Sequence, residues 1–259
     1  MAQETIPGDR QRQILNLVDE HGVIRVSDLS ARFDVSVMTI RRDLMALEER
    51  GLLSRSHGGA ISKRRFQHEL YFDQKGQRNQ REKAAIGAAA ARLVEPGETI
   101  FVHSGSTTLE LLKRLPDIEL RVVTSNAGAI TAIRGSALEC IVLGGVYRAR
   151  SNSFVGGFAL QTIAGIHAGR CFIGVDGISL EAGLTTPHHQ EAEVGRLMIE
   201  QTRGEVIVLA DSSKIGGVAP FRTALLEAAD VLITDSGVNE EYVAALEEHG
   251  VSVRIVPVD

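Results

Sequence analysis

The chain has 259 residues, enough for two domains with cores of their own, and a globular composition: 44% hydrophobic, 24% charged, 4% aromatic and no Trp. No apolar run reaches the roughly 18–20 residues of a membrane span, and the opening MAQETIPGDRQRQ lacks a signal-peptide core, so a cytoplasmic protein with no membrane partner is expected. The net charge of −5 divides unevenly, with 11 Lys/Arg against 9 Asp/Glu in residues 1–65 and 17 against 24 in the remainder. From Arg50 to Arg65 the basic residues Arg50, Arg55, Lys63, Arg64 and Arg65 occur with no acid among them, a local attraction for phosphate within an acidic chain. Cys140 and Cys171 each sit in an apolar, strand-like segment and read as small buried hydrophobes rather than a disulfide.

In chain order, residues 9–21 read as a helix capped by Asp9, with Ile14, Leu15, Leu17 and Val18 on the buried side and Gly22 as its end. Val23–Val26 is a short extended link. Ser27 caps a second helix over 28–33, Asp34-Val35 makes the turn, and Ser36 caps a third helix that Gly51 terminates. On this third helix Val37, Ile40, Leu44 and Leu47 follow a 3-4-3 spacing that puts them on one face. At about 100° per residue, Met38, Thr39, Arg42 and Met45 lie opposite, with Arg41 on the flank. Such a helix suits a DNA major groove, where Arg can donate twice to a guanine edge and Thr can reach a base or phosphate. Taken alone, the segment would better suit an ordinary surface helix. The short, basic, β-like stretch 52–57 that follows completes the pattern of a winged helix-turn-helix over residues 1–60.

Residues 61–80 are polar and charged and read as a linker, part-helical at most. Phe66, Leu70, Tyr71 and Phe72 form a small aromatic cluster there, which either packs the linker on the larger domain or serves as a dimer contact or coupling element. From residue 81 to 259 helix and strand patterns alternate. Strands are expected at 99–102, 120–123, 139–143, 171–175, 205–209, 231–234 and 251–256, and helices at 82–93, from the 103–108 loop through Leu115, from the 124–126 segment to Arg134, and at 191–201 and 240–248. The fold class is therefore α/β, with a mostly parallel sheet in the larger domain.

In such sheets the ligand crevice lies beyond the carboxyl ends of the strands. Small polar residues, glycine or charge gather at those ends: His103-Ser104-Gly105-Ser106-Thr107-Thr108, Thr124-Ser125-Asn126, Gly144-Gly145, Asp176 and Asp211-x-x-Lys214. A Ser/Gly/Thr loop opening a helix lets backbone N–H groups and hydroxyls approach an anion, and Lys214 would add positive charge. Together they describe a pocket for a small phosphorylated molecule. His188, His189, Glu191 and Glu193 are spaced poorly for chelating one metal ion, since adjacent histidines point apart, and read as solvated loop and helix-start residues.

Two motif sets resemble a known family. The run Val35-Ser36-x-x-Thr39-Ile40-Arg41-Arg42-Asp43-Leu44, then Leu47-Glu48-x-x-Gly51-Leu52-x-x-Arg55-x-His57-Gly58-Gly59-Ala60, resembles the signature of the DeoR family of bacterial transcriptional regulators. The segments at 105–107, 124–125, 176–177 and 211–214 resemble the DeoR effector domain, similar in fold to ribose-5-phosphate isomerase. The resemblance implies that Ser36, Met38, Thr39, Arg41 and Arg42 face operator DNA, with Arg55 and His57 on the wing. Arg42 is the candidate for base readout; Arg41 binds phosphate or an internal acid, Ser36 is a contact or only an N-cap, and His57 a contact or only a turn residue. It also implies a phosphorylated sugar or related effector, a repressor released by it, and a homodimer or homotetramer.

Two departures stand out. His103 occupies a position where the family usually has an acid, and either alters ligand choice or is a satisfied histidine at the strand end. The isomerase's lysine-bearing loop after its Asp-Gly segment corresponds here to residues 183–191, which hold no lysine. Binding without catalysis, with no cofactor, metal or catalytic residue, is therefore expected. The alternatives are a sugar-phosphate isomerase carrying a DNA-binding appendage and, less suited to an acidic chain, a chromatin-type binder.

Overall fold

The computed structural model describes residues 7–21, 23–56, 59–62 and 70–258, which divide into two compact units, one ending at Glu69 and one beginning at Leu70. The boundary falls within the expected linker. Gly22, His57, Gly58, Lys63, Arg64, Arg65 and Phe66 lie outside the described residues.

The smaller unit runs α1 (Pro7–His21), β1 (Val23–Arg25), α2 (Val26–Phe33), α3 (Val37–Glu49), β2 (Leu53–Ser56) and β3 (Gly59–Ser62). The three strands form an antiparallel sheet in the order β1-β3-β2, with Arg55 opposite Ala60. Ile14, Leu29, Ile40, Leu44, Leu47 and Leu53 meet in one core, so the 3-4-3 spacing on α3 does face inward from Ile40 onward. Val37 does not; it is 44% exposed. It opens the helix, and its Cβ tilts toward the N-terminus, past the rim of the core. A second correction concerns α2, which starts at Val26 with Arg25 at the cap position; Ser27 lies inside the helix and bonds the neighbouring Asp28. The end of α3 follows expectation: Gly51 N donates to Glu48 O at 2.8 Å and Leu52 N to Leu47 O at 3.0 Å, the paired bonds of a Schellman ending.

The larger unit begins with α4 (Phe72–Gln77) and α5 (Gln80–Ala91), then β4 (Thr99–Val102), α6 (Ser106–Leu112), β5 (Arg121–Thr124), α7 (Ala129–Ala132) and β6 (Glu139–Val142). A hairpin, β7 (Val146–Arg148) and β8 (Ser153–Val155), leads to α8 (Gly157–Ala164). There follow β9 (Arg170–Gly174), β10 (Gly177–Ser179), β11 (Gly183–Thr186), α9 (His189–Glu200), β12 (Val206–Leu209), β13 (Phe221–Ala224), β14 (Val231–Asp235), α10 (Glu240–Glu248) and β15 (Ser252–Val256). Seven strands form an all-parallel sheet in the order β15-β14-β12-β9-β4-β5-β6.

Alternation along the central strands supplies both faces. Ile100, Val102 and Phe172 pack under α5 and α6, while Phe101, Cys171 and Ile173 pack under α8 and α9. The hairpin β7-β8, helix α8 and the antiparallel sheet β10-β11-β13 were not expected from the sequence. Three-residue strands are too short to show a period, and β11, Gly-Leu-Thr-Thr, is buried along its whole length and so shows no alternation. Among the described residues no helix is long and apolar enough to cross a membrane.

Candidate functional site

Helix α3 carries the first candidate surface. Ser36 caps it as expected: its Oγ accepts from Thr39 N at 3.2 Å and lies 2.9 Å from Thr39 Oγ1. Met38 is 64% exposed, Arg41 and Arg42 are both exposed, and Thr39 is half-buried. No acid stands in the first turn. The internal acid of the segment, Asp43, is buried and held by α1: Arg10 Nε donates to Asp43 Oδ2 at 2.6 Å and Gln11 Nε2 to Oδ1 at 3.0 Å. Arg10, not Arg41, is thus the partner of the internal acid, and both α3 arginines face solvent. Arg55 lies on β2, and its side chain lies outside the described part.

The second candidate is a pocket in the larger unit. Strands β5 and β6 extend the sheet on one side of β4, and β9, β12, β14 and β15 on the other. The direction of winding thus reverses between β4 and β9, where a crevice opens beyond the strand ends. The loop after β4 and the first turn of α6 supply His103 to Thr107, and the end of β9 with the segment after it supplies Gly174, Val175 and Asp176. Gly105 joins β4 to α6 at φ +149°, ψ +158°, backbone open essentially to glycine alone. Thr108 closes the turn, its Oγ1 donating to Gly105 O at 3.0 Å.

Charge fills the mouth. Asp176 is bracketed by Lys75 of α4, with Nζ 2.8 Å from Oδ1, and by Lys214, with Nζ 3.7 Å from the same oxygen. Behind them lies Asp211. Burial acts to raise its pKa, but Lys214, Lys83, Ser213 and Asn79 outweigh that and hold it below the usual carboxylate value. Burial pushes the Lys83 ammonium below the ordinary lysine value. On the far wall Glu191 is buried and takes Arg148 Nη1 at 2.9 Å.

Comparison with known proteins matches both units. A family model described as the DeoR-like helix-turn-helix domain covers residues 10–66. One described as the DeoR C terminal sensor domain covers residues 78–236, more than half of the chain. The chain belongs to the DeoR family. Its relatives are named as regulators. They include the uncharacterized HTH-type transcriptional regulator YulB of Bacillus subtilis, 37% identical over 96% of each chain. GolR of Listeria innocua, an HTH-type transcriptional regulator, is 35% identical over 96% of this chain and 98% of its own. The transcriptional repressor AccR of Agrobacterium fabrum is 34% identical over 88% and 90%. Among solved structures, ribose 5-phosphate isomerase A of Methanocaldococcus jannaschii shares 16% identity over 53% of this chain and 55% of its own, with a TM-score of 0.40. This DeoR-family protein is a DNA-binding transcriptional regulator, and its matched relatives carry regulator names rather than enzyme names.

Within this regulator the structure sorts the expected effector residues into three groups. His103, Ser104, Gly105, Ser106, Thr107, Asp176 and Lys214 line one pocket. Thr108, Thr124, Ser125 and Asn126 are fully buried supports. Thr124 Oγ1 donates to Val102 O at 2.6 Å, Ser125 Oγ accepts from Ser104 N at 2.9 Å, and Asn126 Nδ2 donates to Gly105 O at 3.0 Å, so they hold the loop in shape. Gly144 and Gly145 stand apart from the pocket and are exposed. Gly145 has φ +120°, and a Cβ there would meet Val155 O at 2.5 Å, so its glycine serves the approach of the β7-β8 hairpin.

His103 is 2% exposed, with Nδ1 and Nε2 each 3.2 Å from the carbonyl oxygens of Gly174 and Glu191. Burial keeps the imidazole below the ordinary histidine pKa. Both nitrogens thus face backbone acceptors at the strand end, and a neutral imidazole donates to only one of the two. Glu191 corrects the solvated reading of its segment. It caps no loop; it lies against Ser153, Thr186 and Arg148 on the pocket wall. Sequence reasoning also missed Phe72, Lys75, Ser151 and Thr186, which line the same pocket. Lys75 is 101 residues from Asp176 and carries no local signal of that pairing.

Proposed function

We propose that this DeoR-family regulator represses a sugar or carbon-metabolism operon and leaves its double-stranded operator when a phosphorylated sugar or related metabolite binds the larger unit. The observation that carries the reading is the pocket at the β4/β9 reversal, where the hydroxyl-rich Ser104–Thr107 loop stands with Lys75 and Lys214. The hydroxyls and backbone N–H groups would hold the phosphate, and Asp176 would accept from sugar hydroxyls. On the DNA side, exposed Arg42 reads a base edge, Arg41 and Thr39 contact phosphate or base, and Ser36 and Met38 sit at the groove entrance. Arg55 and His57 on the wing would touch backbone or the minor groove. Paired operator half-sites call for a homodimer or homotetramer, working in the cytoplasm. Effector and operator oppose one another by linkage: whatever factor the effector removes from operator affinity, the operator removes from effector affinity.

A thermal-shift screen of phosphorylated sugars, followed by gel shifts of the operator with each hit, tests both halves. A phosphosugar that raises the melting temperature and weakens the operator complex supports the reading. If no phosphorylated sugar raises the melting temperature, the pocket is not a phosphate site; if hits leave the operator complex intact, the coupling fails.

A further inference from the structure

Helix α4 is held in the larger unit by polar contacts and contributes no residue to its core. None of its six residues is buried, and Gly76 in its second half makes it a weak helix former. Contacts along its length seat it. Lys75 Nζ lies 2.8 Å from Asp176 Oδ1 and 3.0 Å from Oδ2. Lys83 of α5, itself buried, donates to Lys75 O and, at 2.7 Å, to Arg78 O, closing carbonyls at the end of α4. Phe72 N donates to Arg150 O at 2.7 Å, and the Arg150 guanidinium lies 4.6 Å over the Tyr71 ring. Phe72 and Lys75 also line the pocket. Since the unit begins at Leu70, chain arriving from the DNA-binding unit runs directly into this helix.

Asp176 decides what occupancy does to α4. Its carboxylate is neutralised by Lys75 and Lys214. A phosphate dianion seated on the Ser104–Thr107 loop would bring a second negative group to the same two ammoniums. Like charges in a partly buried site disfavour each other, and an ammonium drawn to the phosphate must loosen its hold on Asp176. Lys214 stands on a turn tied down by Asp211, which accepts from Ser213 N at 3.2 Å, and by Asp235, which accepts from Ser212 N at 2.7 Å. Lys75 stands on a six-residue helix that contributes no buried residue, so Lys75 is the one that yields.

We propose that Lys75 is an effector-contacting residue, and that passage of its ammonium from Asp176 to the effector phosphate unseats α4, handing pocket occupancy to the segment that joins the two units. This rests on the reading of the pocket as a phosphate site.

Hydrogen exchange read by mass spectrometry on the full chain, over peptides covering 71–78, tests it. The probes are inorganic phosphate and ribose 5-phosphate, each with a parallel melting curve. Without ligand, Lys75→Met should exchange on the order of tenfold faster than wild type in these peptides, with β4 and β9 unchanged, and Lys75→Arg should stay slow. In wild type, a probe that raises the melting temperature should speed the same peptides and should add nothing in Lys75→Met. Wild-type exchange in Lys75→Met overturns the proposal whatever the probes do, as does a bound probe that slows α4 or leaves it unchanged. Absence of any melting shift sinks the phosphate reading, and with it the ammonium transfer, through a separate readout from the exchange rates.

Discussion

Helix α3 carries its candidate contacts in one short stretch, Ser36 to Arg42, and leaves Met38, Arg41 and Arg42 exposed. The pocket of the larger unit draws on Lys75, Ser104, Asp176, Glu191 and Lys214, from segments scattered along the chain, and turns most of its polar groups inward onto one another. A groove reader needs side chains that are unspent before the DNA arrives, so its chemistry can sit on one face of one helix. A small-molecule site must desolvate its ligand, so its charges are paired in advance and held by neighbours. Mutations should therefore separate by kind: on α3 the exposed residues alter binding and the buried ones stability, whereas in the pocket one residue can do both.

The strongest test of that separation is Asp43, which lies within the reading helix but faces inward. Replacing it with Ala breaks the buried pair with Arg10 and removes the acceptor of Gln11 Nε2, and should destabilise the smaller unit by about 3–5 kcal/mol in chemical denaturation. Phosphosugar-induced stabilisation of the larger unit should persist. If Asp43→Ala instead folds normally and only weakens operator binding, the division between buried support and exposed reader on α3 is wrong.

Lys214→Ala should weaken effector binding by about 1.5–3 kcal/mol, the range for hydrogen bonds to charged groups, measured by calorimetry, with operator affinity retained. Loss of both functions together would point to a folding defect. The neighbouring Asp211 adds a pH test. Its folded pKa lies below the ordinary carboxylate value, so it contributes stability above its unfolded pKa, and that stability is lost as pH falls through the depressed folded value. Asp211→Asn should flatten the acid limb of melting temperature against pH. On α3, Arg42→Ala should lower specific operator affinity by about 1–3 kcal/mol in gel shifts and leave the phosphosugar melting shift unaltered. An unchanged operator affinity would remove Arg42 from base readout.

The same contrast explains what could be read from the residues alone. The cap at Ser36, the inward face of Ile40, Leu44 and Leu47, and the end at Gly51 are local patterns, and each is visible in the sequence. The Arg10–Asp43 pair spans 33 positions and is not. In the larger unit the strand-end loops were legible because parallel strands place their chemistry just after an apolar run. Which of those loops line the pocket depended on strand order: Ser125 and Asn126 follow β5, beside β4, and spend their side chains supporting Ser104 and Gly105. Lys75 and Glu191 were illegible for a different reason. Each looks like a solvated helical charge until the fold brings its partner, Asp176 or Arg148, within an ion pair.

Ser36 gives the smallest effect and the finest cut through the comparison, because it is at once a local support and a candidate contact. Ser36→Ala should cost about 1 kcal/mol of stability through loss of the cap to Thr39 N. Ser36→Asp keeps a capping oxygen and adds charge that suits the helix N-terminus, so stability should return to near the wild-type value. Operator affinity then divides the two roles. If Ser36 touches DNA phosphate, the carboxylate of Ser36→Asp is repelled, and binding falls below that of Ser36→Ala despite the restored fold. If Ser36 only caps, affinity follows stability and the aspartate variant binds as wild type, and the reading surface of α3 begins at Met38.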